Sequence, residues 1–318
     1  MTAGEPDGEL EGQPREQLVA ALQRVPELAG RPLRLSTLSG GITNRNYRVD
    51  IDEPWSGGAF VLRLAGNDTH LLGISREVEH AATVAAAGVG VAPEVVSYLR
   101  PEGYLLTRFI EGVRISDEAV HEPVTIRRVA DSLRRVHDGP AIPGIFMPYR
   151  IGEAYHALAE ARGVAIPEGY AAAHDAARRV EIALLQQPVA MRPCHNDLLN
   201  ANFIDDGSRV RIVDWEYAGM GDPWFDLGNF SVNHGLTEDE EAVLIEAYCG
   251  EVQPHRLARV RLMRVLSDFR EALWAVLQQA LSTLEVDFPA YAEHHLDRLL
   301  TSVAEAGHAD ALRALGNG

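Results

Sequence analysis

No lysine occurs anywhere in the 318 residues, so all 29 cationic side chains are arginines. Any site that needs a fixed positive charge must use a guanidinium or do without one. Cysteine is nearly absent too: Cys194 and Cys249 are the only two. A pair cannot build a disulfide scaffold or a thiolate zinc cluster, and it suits a reducing cytoplasm. Cys194 reads as a small buried filler. No run of about 18 apolar residues is present, and the first residues, MTAGEPDGELEGQPRE, have neither a basic nor an apolar region. Membrane insertion and secretion are therefore not expected. Positive charge is scarce overall, with a formal net charge of −17. A nucleic-acid surface needs a clustered basic face, so nucleic acid is excluded as a partner and a cationic or metal-bridged one is favoured.

What is present is a chain that is 46% hydrophobic and 24% charged, the balance of a globular protein. At this length two subdomains are expected. Residues 1–14, rich in Gly, Pro and Glu, read as a disordered tail. A short helix over Gln17–Val25 leads into strand-like segments: LRLSTLSGG, NYRVDI and AFVLRLAG, with Gly- or Pro-containing turns between them. Ser75 is suited to cap a helix over REVEHAATVAAAG, which Gly88 ends, and APEVVSYLR and GYLLTRFI supply two more strands. Beyond Gly112 the pattern is helical, over Ile126–His137, Ala154–Arg162, Tyr170–Gln187, Glu238–Tyr248 and His255–Leu281. One hairpin interrupts it, ANFIDDGSRVRIVDWE, with Asp206-Gly207 at its turn. The fold class is α+β. The expected domains are a small β-rich N-terminal lobe over 15–111 and a larger, mainly helical C-terminal lobe over 112–318.

The segment CHNDLLNANFIDDGSRVRIVDWEY contains H-x-D-x-x-x-x-N followed by an apolar strand ending at Asp214. Phosphoryl transfer needs a carboxylate near the attacking hydroxyl and oxygen ligands for Mg²⁺ on the nucleotide phosphates. Asp197, Asn202 and Asp214 supply those groups. Each of them alone is explained by turn chemistry, since Asp and Asn gather at turns. All three at this spacing, with apolar strands between, point to chemistry. A hydrolytic metal site at His195 would need a second nearby His at a recognisable spacing, which is lacking. His195 reads instead as a packed residue that holds the loop.

These motifs resemble the choline/ethanolamine kinase branch of the aminoglycoside-phosphotransferase-like kinases. The likeness rests on SGGITNRNYRV (39–49), CHNDLLNANF (194–203), IVDWEYAG (212–219), WFDLGNF (224–230) and SDFREALWAVLQQALSTLEVDFPAYA (267–292). It implies a protein-kinase-like two-lobe fold, with a small antiparallel β-sheet N-lobe carrying one helix and a larger, mainly helical C-lobe. It implies that ATP is the phosphate donor, Asp197 the catalytic base, and Asn202 and Asp214 the magnesium ligands. Ser39, Gly40, Gly41 and Asn44 would form the phosphate loop. Arg63 would face the α/β-phosphates, oriented by Glu77 on the following helix. Backbone groups of Arg108 and Ile110 would meet the adenine at the connector. Asp226 would brace the catalytic loop through backbone amides.

Tyr217, Trp274 and Tyr291 match aromatic positions of the choline pocket, and Asp197 and Glu216 would add negative potential around a cationic acceptor. Glu271 stands where the eukaryotic pattern has a second Trp, and Asn233 where it has a Glu. The acceptor therefore reads first as choline or ethanolamine, with an aminoglycoside or amino sugar as the alternative and a non-catalytic pseudokinase as the third reading. The short interval from Asp214 to Asp226 leaves no room for a long activation segment, which disfavours a regulated protein kinase. A cytoplasmic monomer or homodimer is expected.

Overall fold

The computed structural model describes residues 9–10, 13–38, 44–52, 58–66 and 68–316. Two compact units are present, one of residues up to Asn67 with Pro93–Glu111, the other of Asp68–Ala92 with Gly112–Gly318.

The first unit is built on a five-stranded antiparallel sheet in the spatial order Leu33–Leu38, Asn44–Ile51, Ala59–Ala65, Tyr104–Arg108, Val95–Leu99. Side chains alternate across a strand, so every second residue shares a face. Tyr47 and Val49 sit opposite Leu62 and Phe60, and Leu62 sits opposite Leu106, which makes one continuous apolar face. Helix α1 (Arg15–Leu22) and the turn after it cover that face with Leu18, Leu22, Val25 and Leu28. In the segment expected as a tail, Glu9–Leu10 and Gln13–Pro14 pair as a short antiparallel ladder, and residues 1–8 and 11–12 lie outside the described residues.

Helix α2 (Arg76–Gly88) forms where expected, capped by the Ser75 hydroxyl, which accepts from the Val78 amide. The chain then turns left-handed at Gly90 (φ +76°), two residues beyond the glycine expected to stop it. This helix was assigned to the N-terminal lobe, yet it belongs to the second unit. Its Ala82 and Ala86 share an apolar cluster with Val91, Ile115, Val120, Ile126 and Val129. Burial of small alanines against that cluster decides its allegiance, and sequence order does not reveal it.

The second unit is mainly helical: α3 (Pro123–His137), α4 (Pro148–Ala161), α5 (Tyr170–Gln186), α6 (Trp224–His234), α7 (Glu238–Cys249), α8 (Pro254–Leu281), α9 (Phe288–Ala304) and α10 (Ala306–Gly316). Helix α8 is its axis, buried almost without interruption from Ala258 to Gln278. A helix that is apolar on most sides must be enclosed by others, and α4, α6 and α9 do this. Helix α6 was not expected, because WFDLGNF offers no clean amphipathic stripe. It forms because Gly228 brings it into close contact with α8: a Cβ there would lie 2.5 Å from Met263 Cβ.

The hairpin pairs Phe203–Asp205 with Val210–Ile212. Gly207 turns at φ +86°, and the Asp206 carboxylate accepts from the Ser208 and Arg209 amides at 2.9 and 2.7 Å. A second small pair, Arg192–Cys194 with Gly219–Gly221, flanks the H-x-D segment.

Candidate active site

Between Cys194 and Phe203 the chain is held by its own polar groups rather than by a sheet. Asp226, fully buried on α6, accepts from the amides of His195 (2.8 Å) and Asn196 (2.7 Å) and contacts His137 Nε2 at 3.0 Å. Burial pushes this carboxyl up, but the bond to His137, the neighbouring His137 and His195 rings and the His195 amide together outweigh it and hold Asp226 below the usual carboxylate range. The expected brace is therefore present. His137 is fixed in turn by the Tyr248 hydroxyl at 2.7 Å. His137, Cys194 and Asp226 come close enough to hold a metal ion. Their lone pairs are committed elsewhere, however, and burial pushes the Cys194 thiol well up, so the cluster is a brace.

His195 packs edge-on against Trp215 with ring centres 4.6 Å apart, and its Nε2 lies 2.9 Å from the Val213 carbonyl. It holds the loop, as expected. Asn196 is left-handed (φ +70°), and its side-chain amide donates to the Tyr217 carbonyl at 3.0 Å. That conformation is tolerated by Asn more readily than by most residues. It sets the direction in which the chain leaves for Asp197.

Asp197 is largely buried. Burial pushes its carboxyl up to about 8, repulsion from Glu271, Asp214 and Glu216 adds to this, and Arg270 pulls it down. Asn202 donates its side-chain amide to the Asp197 carbonyl at 2.9 Å, and its own carbonyl accepts from the Val213 amide at 3.0 Å. The first metal-ligand candidate is thus bonded both to the backbone of the candidate base and to the residue before the second metal-ligand candidate. Asp214 itself is left-handed (φ +69°). Three residues separated by up to 17 positions in sequence meet at one place.

The acceptor candidates also gather. Trp274 Nε1 donates to the Tyr217 hydroxyl at 2.9 Å, and the Trp274 ring meets Tyr291 edge-on at 5.9 Å. Tyr217 and Trp274 are buried, and Tyr291 is half-buried. Glu216 is buried 3.4 Å from Arg76 Nη1, and that guanidinium also binds Glu79 at 2.5 Å and the Thr69 hydroxyl at 2.9 Å.

Two residues emerge that sequence reasoning passed over. Arg270 on α8 is 1% exposed and reaches the Asp197 segment, and its neighbour Glu271 is 3% exposed. The signal available was two adjacent charges inside the apolar run of FREALWAV. The second is Glu79. Glu77 was expected to be the functional carboxylate of α2, but it is exposed on the first turn, and the buried carboxylate is Glu79, two residues further along. A 100° step per residue puts the two on nearly opposite faces.

In the first unit, Asn44 is buried at the start of its strand, and Arg63 stands opposite Asn46 and Leu105. Ser39, Gly40 and Gly41 lie outside the described residues. The Arg108 amide was a candidate for the adenine but already donates to the Glu94 carbonyl at 2.8 Å. Its side chain binds Glu27 at 2.7 Å and covers the Phe60 ring. The Arg108 carbonyl and the backbone of Ile110 are the candidates that remain there.

The model of the phosphotransferase enzyme family matches residues 34–263 of this chain. Among solved structures, a choline/ethanolamine kinase family protein from Mesorhizobium loti is 32% identical. It superposes with a TM-score of 0.82, covering 95% of this chain and 99% of that one. The chain belongs to the phosphotransferase enzyme family, in its choline/ethanolamine kinase branch. The expected two-part kinase-like fold and small-molecule kinase class are borne out. Protein LicA of Haemophilus influenzae is 25% identical over 264 residues, covering 81% of this chain and 76% of that protein. Human ethanolamine kinase 2 is 27% identical over 314 residues, covering 88% and 79%. Among the described residues, no helix of the enzyme is long and apolar enough to cross a membrane.

Proposed function

We propose that the enzyme moves the γ-phosphate of ATP onto the hydroxyl of a small cationic amino alcohol, choline or ethanolamine. The observation that carries this reading is the meeting of Asp197, Asn202 and Asp214 beside the Tyr217–Trp274–Tyr291 cluster in a single unit.

Asp197 accepts the proton of the acceptor hydroxyl as its oxygen bonds to the γ-phosphorus and the bond to the bridging oxygen of ADP breaks. Asn202 and Asp214 suit magnesium, because Asn202 spends its amide nitrogen on the Asp197 carbonyl and so offers an amide oxygen beside a carboxylate, both hard donors. When bound, the metal supplies positive charge to the nucleotide phosphates. Asp226 and Asn196 keep the Asp197 backbone where the proton must be received, which is the positioning on which phosphoryl transfer depends. The aromatic cluster offers cation–π contact to an acceptor ammonium, worth on the order of 0.5–2 kcal/mol per ring, and Glu216 and Glu271 add negative potential. Arg63 in the first unit is assigned to the phosphates. A cytoplasmic setting fits two unpaired thiols.

The test is turnover with ATP and Mg²⁺ on choline, ethanolamine, glucosamine and kanamycin, with Asp197→Ala alongside. Phosphorylation of an amino alcohol that vanishes in Asp197→Ala is expected. Preference for glucosamine or kanamycin refutes the acceptor, and product formation by Asp197→Ala refutes the base.

A further inference from the structure

Helix α8 inserts a buried cation into the centre of this site. Arg270 Nη2 donates to the Asn196 carbonyl at 2.9 Å and to Asp197 Oδ1 at 3.3 Å. The same nitrogen lies 2.8 Å from Glu271 Oε1, off-line enough to leave that oxygen without a well-directed donor. The guanidinium carbon stands 5.0 Å above the centre of the Tyr217 ring. One side chain therefore touches the peptide before the base, the carboxylate of the base, and an aromatic ring assigned to the acceptor.

We propose that Arg270 is a positioning residue for phosphoryl transfer, fixing the Asp197 carboxylate relative to the acceptor wall. The proposal rests on the assignment of Asp197 as the base. The geometry suits it for three reasons. The Asp226 brace acts only on the amides of His195 and Asn196 and so leaves the Asp197 carboxylate itself to be aimed by something else. A planar guanidinium can hold a carbonyl and a carboxylate at fixed angles while lying flat on a ring, which a lysine ammonium cannot. Glu271 balances the charge, so that a buried cation is tolerated next to a base that loses its own charge when it takes a proton. Tyr217 also has one face covered by Arg270, so an incoming ammonium meets its other face or the rings of Trp274 and Tyr291.

The test compares kcat and KM in Arg270→Lys and in the double variant Arg270→Met with Glu271→Gln. The double variant removes the cation together with the charge of Glu271, so that Glu271 is not left as a buried carboxylate without its partner and the Asp197 carboxylate is the group released. A misplacement of about 1 Å costs on the order of 100-fold in rate. The double variant is expected to lose about that factor in kcat with the KM for ATP unchanged and the unfolding midpoint near wild type. Arg270→Lys is expected to keep the fold and recover part of the rate, and guanidinium ions are expected to raise the rate of Arg270→Ala. Wild-type kcat in Arg270→Lys or in the double variant overturns the proposal, as does a loss of kcat that only follows a loss of folded protein. Activity retained by Asp197→Asn strikes instead at the assignment of the base, so the two failures are told apart.

Discussion

Replacing Asp226 by Asn should separate the cost of holding the catalytic loop from the cost of the chemistry. The substitution preserves shape but exchanges one accepting oxygen for an NH₂ donor. Both oxygens are engaged, Oδ1 with the Asn196 amide and Oδ2 with the His195 amide and His137. Either orientation of the new amide therefore faces at least one buried N–H with another donor. A buried donor left unsatisfied costs about 1–3 kcal/mol, and a bond to a charged acceptor contributes about 1.5–3 kcal/mol. The expected destabilisation is about 3–5 kcal/mol, read as a lower urea midpoint with an unchanged slope. Because the same amides set the exit of the chain toward Asp197, kcat should fall by 10-fold or more in the fraction that remains folded. Glu246→Ala is the control. Its single contact with Arg127, at 2.9 Å, is about half exposed, so a surface bridge of this kind contributes no more than about 1 kcal/mol. If Asp226→Asn costs no more than Glu246→Ala and keeps wild-type kcat, the brace is decorative and the reasoning fails.

Other perturbations have defined signs. Gly228→Ala puts a methyl 2.5 Å from Met263 Cβ and 2.9 Å from its backbone carbon, so it should force α6 from α8 and lower stability by about 1–3 kcal/mol in chemical denaturation. Burial pulls the His234 imidazole down to about 4. The unfolded chain takes up that proton near pH 6.5, so the contribution is complete above that pH and is lost as pH falls through 4, amounting to about 2–3 kcal/mol. His234→Phe, which keeps the ring contacts to Phe203 and Phe230, should flatten the fall in urea midpoint between pH 7 and 4.5; an unchanged fall contradicts it. Tyr217→Phe removes the acceptor of Trp274 Nε1, so it should cost about 1–3 kcal/mol and raise the KM for the acceptor more than that for ATP.

What was legible in the sequence and what was not divide along a physical line. Signals carried by neighbouring residues were readable: the period-two strands around Tyr47 and Phe60, the Ser75 cap and the Asp206-Gly207 turn all rest on interactions a few residues long. Asp197, Asn202 and Asp214 could be proposed from sequence because phosphoryl transfer requires particular residue types at a particular spacing, and the short loop that joins them brings them together in the fold. Long-range burial was not readable. Helix α2 packs by two alanines onto residues some 30 to 50 positions away, and nothing in REVEHAATVAAAG states to which unit those alanines belong. Glu77 and Glu79 look alike in one dimension, and only packing shows which is buried. Arg270 is the sharpest case. In an apolar helix a charged Arg–Glu pair reads as an end of the exposed stripe, yet the contacts of Arg270 lie 73 and 74 positions back, on a loop whose backbone is shaped by a third element. The local motif thus supplies the proposed reactive groups, and the distant helices decide where those groups point. That division makes the catalytic loop the part to recognise from sequence, and α8 the part to mutate when asking how the acceptor is held against the base.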